Sequence, residues 1–142
     1  MGEVNMEAIK YRAGYKYQLC EDYRVQTPII PEKDIVTPYL CLTNTGILSI
    51  REGYAWDGAS GPTFDTANSM RGSLIHDALY ALMRECHLEY RQWRDPVDRL
   101  LQKVCIEDGM WQVRAWSWYW GVRLGAGPCV LPSSNKPVMQ AP

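Results

Sequence analysis

The stretch Ser73-Leu74-Ile75-His76-Asp77-Ala78-Leu79-Tyr80 places two adjacent ionisable residues inside an apolar run. Apolar residues before and after the pair recur at helical spacing, which predicts an amphipathic helix here. An unpaired charge in an apolar environment is costly, so His76 and Asp77 must either face a cleft or have polar partners. Asp57 and Asp98, one on each side of this helix in the sequence, are the partners we expect.

Two more helices are expected after this first one, which should run from about Met70 to Cys86. Asp95-Pro96 favours the N-cap and first position of the second helix, because proline fits the first turn. Gly109 should end the second helix, and the third should run from Met110 to about Leu124.

The third helix is rich in tryptophan, and its residues separate into two faces at 100° per residue. Buried positions against the sheet are predicted for Trp111, Ala115, Trp118 and Val122. Trp116 and Trp120 should lie towards a partner or stay partly exposed. This Tyr/Trp surface is therefore a candidate docking face for another protein.

The residues before Asp57 have the pattern of strands. Tyr15–Cys20 and Tyr23–Thr27 are expected to pair around a turn, and Tyr39–Thr43 and Ile47–Arg51 to form a hairpin with Gly46 at positive φ. The predicted fold class is α+β, a small antiparallel sheet packed against about three helices. We expect one domain over residues 1–130 and a flexible tail rich in proline and serine over 131–142.

Composition excludes several classes of protein. The chain has 142 residues with 15 basic and 16 acidic side chains, a net charge of -1 that gives no basis for binding nucleic acid. We expect no transmembrane segment and no signal peptide. The five cysteines form no C-x-x-C pair, so we expect reduced thiols.

The polar residues of the first two helices suit hydrolytic chemistry. His76 and Tyr80 share a helix face, and Asp98 on the next helix is expected to bind the far nitrogen of His76. A histidine held in this way serves as a general base. Asp57 and Asp77, with carbonyls of the Gly58–Gly61 loop, are the predicted ligands of a divalent cation, with calcium preferred and zinc and magnesium left open.

Three motifs together resemble an uncharacterised protein family of tailed phages and prophages. They are D-G-A-S-x-P at Asp57–Pro62, H-D-x-L-Y at His76–Tyr80 and V-D-R at Val97–Arg99, and the resemblance covers roughly residues 15–125. It implies a phage-encoded protein, located in the virion or in the cytoplasm of the infected bacterium.

A more local resemblance, from Asp57 to about Cys105, is to secreted-type phospholipase A₂ and its viral capsid relatives. These proteins share a glycine-rich calcium loop, a helix with H-D-x-x-Y, and a second helix that carries an aspartate. The resemblance implies that His76 is the base, that Asp77 binds calcium, and that Tyr80 and Asp98 support the histidine. It implies an ester substrate such as a phospholipid, with a peptidoglycan-type substrate left open.

The sequence leaves a metal-dependent hydrolase and a non-enzymatic virion component both open. In the second case, a tail or baseplate accessory protein would use the His-Asp cluster as a structural link and dock through its Tyr/Trp surface. Removal of His76 would then leave Asp98, and with it Asp57, as unpaired buried carboxylates, at a cost of roughly 3–5 kcal/mol.

Overall fold

Short strands form the first part of the fold and three helices form the second. The computed structural model describes Ile9 and residues 11–12, 17–56 and 67–125. The strands are β1 (Tyr11–Arg12), β2 (Tyr17–Leu19), β3 (Tyr23–Gln26), β4 (Ile35–Val36), β5 (Leu40–Leu42), β6 (Ile47–Ile50) and β7 (Ala55–Trp56). The helices are α1 (Ala67–Arg84), α2 (Tyr90–Glu107) and α3 (Gln112–Gly125). The predicted α+β class is confirmed.

The described residues fall into two compact units, one with the strands and one with the helices. The expectation of a single domain over residues 1–130 stays a prediction. The predicted flexible tail, residues 131–142, lies outside the described residues.

The strands form two antiparallel sheets, with the orders β1-β2-β7 and β3-β6-β5-β4. The predicted pairing of the first two strand segments is wrong, because β2 and β3 belong to different sheets. Leu19 in β2 bonds through its backbone to Gly53 and Tyr54. β3 instead pairs with β6, from Tyr23 opposite Ile50 to Gln26 opposite Ile47.

The predicted hairpin of β5 and β6 is confirmed, and so is the positive φ of the glycine in its turn. Gly46 has φ +90°. A Cβ at this position would lie 2.3 Å from the Thr27 carbonyl oxygen. Both the left-handed backbone and the close approach therefore require glycine.

The helical unit is built around α2, which packs against α1 on one side and α3 on another. α1 ends before the predicted Cys86, because Cys86 has φ +64° and leaves the helix. Gly109, with φ +96°, follows the end of α2 as predicted. No helix within residues 67–125 is long and apolar enough to cross a bilayer.

The predicted start of α2 is wrong. The helix begins at Tyr90, where the Glu89 side chain accepts a hydrogen bond from the Arg91 backbone, and Pro96 lies inside the helix. Asp95 is therefore not an N-cap. Its carboxylate contacts the Arg99 and Tyr119 side chains instead, at 2.8 and 2.6 Å.

The burial of the two faces of α3 is as predicted except at its start, while packing of the buried face against the sheet stays a prediction. Ala115, Trp118 and Val122 are buried, and Trp116 and Trp120 are exposed. Trp111 was expected to be buried but is 83% exposed. It precedes the first residue of α3, so the helical periodicity used to place it does not apply.

Candidate functional site

His76, Tyr80 and Asp98 come together between α1 and α2. His76 and Tyr80 lie one turn apart on α1, with ring centroids 4.0 Å apart. His76 Nε2 is 2.7 Å from Asp98 Oδ1, and the Tyr80 hydroxyl donates to the same oxygen at 2.5 Å. The predicted contact between Asp98 and His76 is confirmed.

Asp98 is completely buried, so its charge needs compensation from the protein. Two arginines supply it at the other carboxylate oxygen. Arg123 Nη1 lies 3.2 Å from Oδ2, and Arg94 Nε lies 3.8 Å from it. The carboxylate is thus shared by side chains from all three helices.

Tyr80 acts in this cluster as a protonated donor. Burial, followed by the hydrogen bond to Asp98, raises the pKa of its phenol well above the ordinary value of 10.0. Burial disfavours the phenolate, and so does the neighbouring carboxylate. Tyr80 is therefore held in its protonated form, with its hydroxyl donating to Asp98.

The orientation of His76 follows from its partner. A carboxylate only accepts hydrogen bonds, so the Nε2 of a neutral His76 ring carries the proton and Nδ1 carries the lone pair. The His76 side chain is 11% exposed, so part of it reaches the surface. That Nδ1 faces a cavity open to solvent stays a prediction, as do the catalytic roles of His76, Tyr80 and Asp98.

The predicted cation ligands are only partly within the described residues. Asp57 and the Gly58–Gly61 loop lie outside them, so the expected packing of this loop against the His76 helix stays a prediction. Asp77 is half-buried on α1 and interacts with neighbouring groups. Within the part of the chain that the structure describes, no three His, Cys, Asp or Glu side chains are grouped closely enough to hold a metal ion.

Arg94 and Arg123 are the members of the cluster that sequence reasoning missed. Arg94 lies four residues before Asp98 on α2, a spacing at which oppositely charged side chains meet on a helix. This ion pair could therefore have been predicted from the sequence. Arg123 comes from the end of α3, 25 residues after Asp98, and no local pattern links the two.

The ionic network continues on the exposed side of Asp95. The hydrogen bonds from Tyr119 and then from Arg99 lower the pKa of the Asp95 carboxyl, because they stabilise its ionised form. Arg123 Nε is also near, at 3.8 Å. Asp95 therefore holds α3 to α2 one turn away from Asp98.

A second ion pair, also missed from the sequence, joins α1 to the end of α2. The buried Arg71 bonds both carboxylate oxygens of Asp108, with Nε–Oδ2 and Nη2–Oδ1 distances of 3.0 Å. This two-point contact fixes the other end of the α1–α2 pair.

Exposed apolar side chains remain along α3 and just before it. They are Trp111, Val113, Trp116, Trp120 and Leu124. Trp116 and Trp120 are neighbours, with ring centroids 6.3 Å apart. The exposure predicted for Trp116 and Trp120 is confirmed, but the α3 tyrosine, Tyr119, is buried, and a partner for this face stays a prediction.

No protein-family model, curated protein or solved structure matches the chain.

Proposed function

We propose that this chain is a phage-encoded hydrolase in which His76 is the general base and Asp98 holds it. The observation that carries the proposal is the 2.7 Å contact between His76 Nε2 and the buried Asp98 carboxylate. It fixes the ring and leaves Nδ1 to accept a proton from water. The resemblance to the phospholipase A₂ helix pair supports an ester as the substrate.

The reaction that fits these groups is attack of water on an ester carbonyl. His76 Nδ1 removes a proton from the water as its oxygen bonds to the carbonyl carbon. The imidazolium that forms is stabilised by Asp98, and it returns the proton to the departing alcohol oxygen. The products are a carboxylic acid and an alcohol, and His76 is neutral again.

A divalent cation fits this scheme at Asp77, which is adjacent to the base and half-buried. Together with Asp57, Asp77 would hold the cation, which when bound would polarise the substrate carbonyl. Calcium is the cation we propose, because aspartate and backbone oxygens are its preferred ligands.

The proposal is tested by hydrolysis of anionic and zwitterionic phospholipid vesicles, with purified peptidoglycan as a second substrate. Each is incubated with the parent protein and calcium, magnesium, zinc or EDTA. We expect calcium-dependent cleavage that His76→Asn reduces by about 10²–10⁴-fold, the usual contribution of a general base.

The chain offers a matched control, because its other histidine, His87, is exposed beyond the end of α1. His87→Asn should cleave at the parent rate. A parent protein that cleaves neither substrate with any of these cations, or a folded His76→Asn that keeps full activity, would contradict the proposal.

A second candidate function has its own observation in favour. Arg94 and Arg123 already compensate Asp98, so the cluster also links three helices without any chemistry. With the exposed tryptophan face of α3, this favours a virion accessory protein that docks on another virion protein. Loss of hydrolysis in His76→Asn alone would rule against this candidate.

A further inference from the structure

The Arg94 side chain connects the end of α3 to the histidine cluster. Its Nη2 donates to the Val122 carbonyl at 3.0 Å and to the Arg123 carbonyl at 2.7 Å. Its Nε donates to the Tyr80 hydroxyl at 3.3 Å. One guanidinium thus holds the last turn of α3 and the tyrosine that bonds Asp98.

These contacts use features that only arginine combines. The carbonyls in the last turn of a helix have no partner within the helix and carry partial negative charge, which a cation satisfies. Nε and Nη2 lie on the same side of the planar guanidinium, so one donates to Tyr80 while the other reaches α3. The single ammonium of lysine has no such fork.

Arg94 also determines where Arg123 lies. The backbone carbonyl of Arg123 accepts a hydrogen bond from Arg94, and the Arg123 side chain extends to Asp98, with Nη1 at 3.2 Å from Oδ2. Fixing the Arg123 backbone therefore fixes a guanidinium beside Asp98. Without the contact between Arg94 and the Arg123 carbonyl, neither guanidinium would be held in its position beside Asp98.

We propose that Arg94 is a positioning residue for His76, which makes the geometry of the base depend on the docking of α3. The proposal rests on the general-base role proposed for His76. Arg94 holds Tyr80 and Arg123 in contact with Asp98. These contacts keep the carboxylate in the one orientation in which its Oδ1 accepts a hydrogen bond from His76. Release of the last turn of α3 frees the carboxylate to rotate and loosens the ring.

The test measures solvent exchange of the His76 Nε2 proton by NMR in the full-length chain. Arg94→Lys retains the charge but not the fork, and we expect it to speed this exchange by about tenfold. If the parent protein hydrolyses an ester, kcat should fall by about the same factor with KM unchanged, because only the base is misplaced.

Two controls separate positioning from general loss of stability. Arg91→Lys alters an exposed arginine of α2 whose guanidinium lies over the Tyr90 ring, and it should leave the exchange rate unchanged. Arg71→Lys weakens the two-point contact with Asp108 at the other end of the α1–α2 pair and leaves the side chains of the cluster unchanged, so it calibrates the exchange caused by lower stability alone.

An exchange rate in Arg94→Lys equal to that of the parent, or to that of Arg71→Lys at matched stability, would overturn the proposal. The exchange measurement needs no enzymatic activity. An inactive parent protein would therefore contradict the hydrolase proposal, while the positioning of His76 by Arg94 would still be decided by the exchange rate.

Discussion

The Asp98 carboxylate joins side chains of all three helices at one buried position. It is completely buried and accepts contacts from His76, Tyr80, Arg94 and Arg123. The expectation that removal of His76 would leave Asp98 unpaired is therefore wrong, since three partners remain. A buried carboxylate with that many donors tolerates the loss of one of them.

The loss in free energy of unfolding should be smaller when His76 is removed than when Asp98 is removed. His76→Ala removes one hydrogen bond to a charged group and should cost about 1.5–2 kcal/mol, the low end for such a bond because Asp98 keeps three other partners. Asp98→Ala leaves two arginines and Tyr80 without their common acceptor and should cost about 3 kcal/mol. That value lies at the low end for a broken buried pair, because the Arg94 and Arg123 side chains are 19% and 28% exposed.

Urea denaturation of the two variants beside the parent protein measures the difference. Tyr80→Phe, which also removes one donor to Asp98, is the matched comparison for His76→Ala. A larger loss for His76→Ala than for Asp98→Ala would show that the histidine, and not the carboxylate, is the centre of the network.

At the scale of the helices, close approach of α1 and α2 is what brings His76 to Asp98. The helices touch at Gly72, where an added Cβ would lie 2.9 Å from Cys105 Sγ and 3.1 Å from Leu101 Cδ1. Burial raises the pKa of the Cys105 thiol to about 12, so it stays neutral at this contact. A larger residue at position 72 would push the helices apart.

Gly72→Ala tests this contact against helix propensity. Alanine gains about 1 kcal/mol over glycine in a helix, whereas overpacking a core costs about 1–3 kcal/mol. We expect a net loss of about 1 kcal/mol by thermal or urea unfolding, and Cys105→Ala in the same chain should recover part of it.

Gly121→Ala is the control, because a Cβ on this α3 glycine meets nothing within 4 Å. It should stabilise the protein by about 0.5–1 kcal/mol. Equal stabilisation by both substitutions would mean that α1 and α2 are not closely packed at Gly72.

The sequence predicts the elements better than the contacts between them. The apolar spacing around His76 predicts α1, and Gly46 and Gly109 mark turns because their backbone positions require glycine. Asp95-Pro96 misplaces the start of α2, because the pair has the composition of a helix N-terminus but lies inside the helix. The preference of Asp-Pro for a helix N-terminus is outweighed here by the contacts that Asp95, inside the helix, makes with Arg99 and Tyr119.

The candidate site was predictable only where its residues are close in sequence or on paired helices. His76, Tyr80 and Asp98 follow from helical spacing and a short connection between α1 and α2. The two arginines depend on how α3 docks, which no periodicity specifies. Asp57 and its loop lie outside the described residues, so that half of the predicted site stays a prediction.

For the whole molecule, the helical unit contains the features on which the two proposed functions depend. One is the buried cluster around Asp98, and the other is the exposed apolar face of α3. Because Arg123 belongs to α3 and bonds Asp98, the two features are joined by one helix. In the hydrolase proposal, anything that binds this face and displaces the end of α3 would also change the orientation of His76.

The protonation of the two ring nitrogens of His76 tests the central claim most directly. With only two histidines in the chain, ¹⁵N NMR of the imidazoles assigns them by comparison with His87→Asn. At a pH where both rings are neutral, we predict that His76 carries its proton on Nε2, held by Asp98, with Nδ1 unprotonated. A His76 ring protonated mainly on Nδ1, or one with the same tautomer mixture as the exposed His87, would contradict the account.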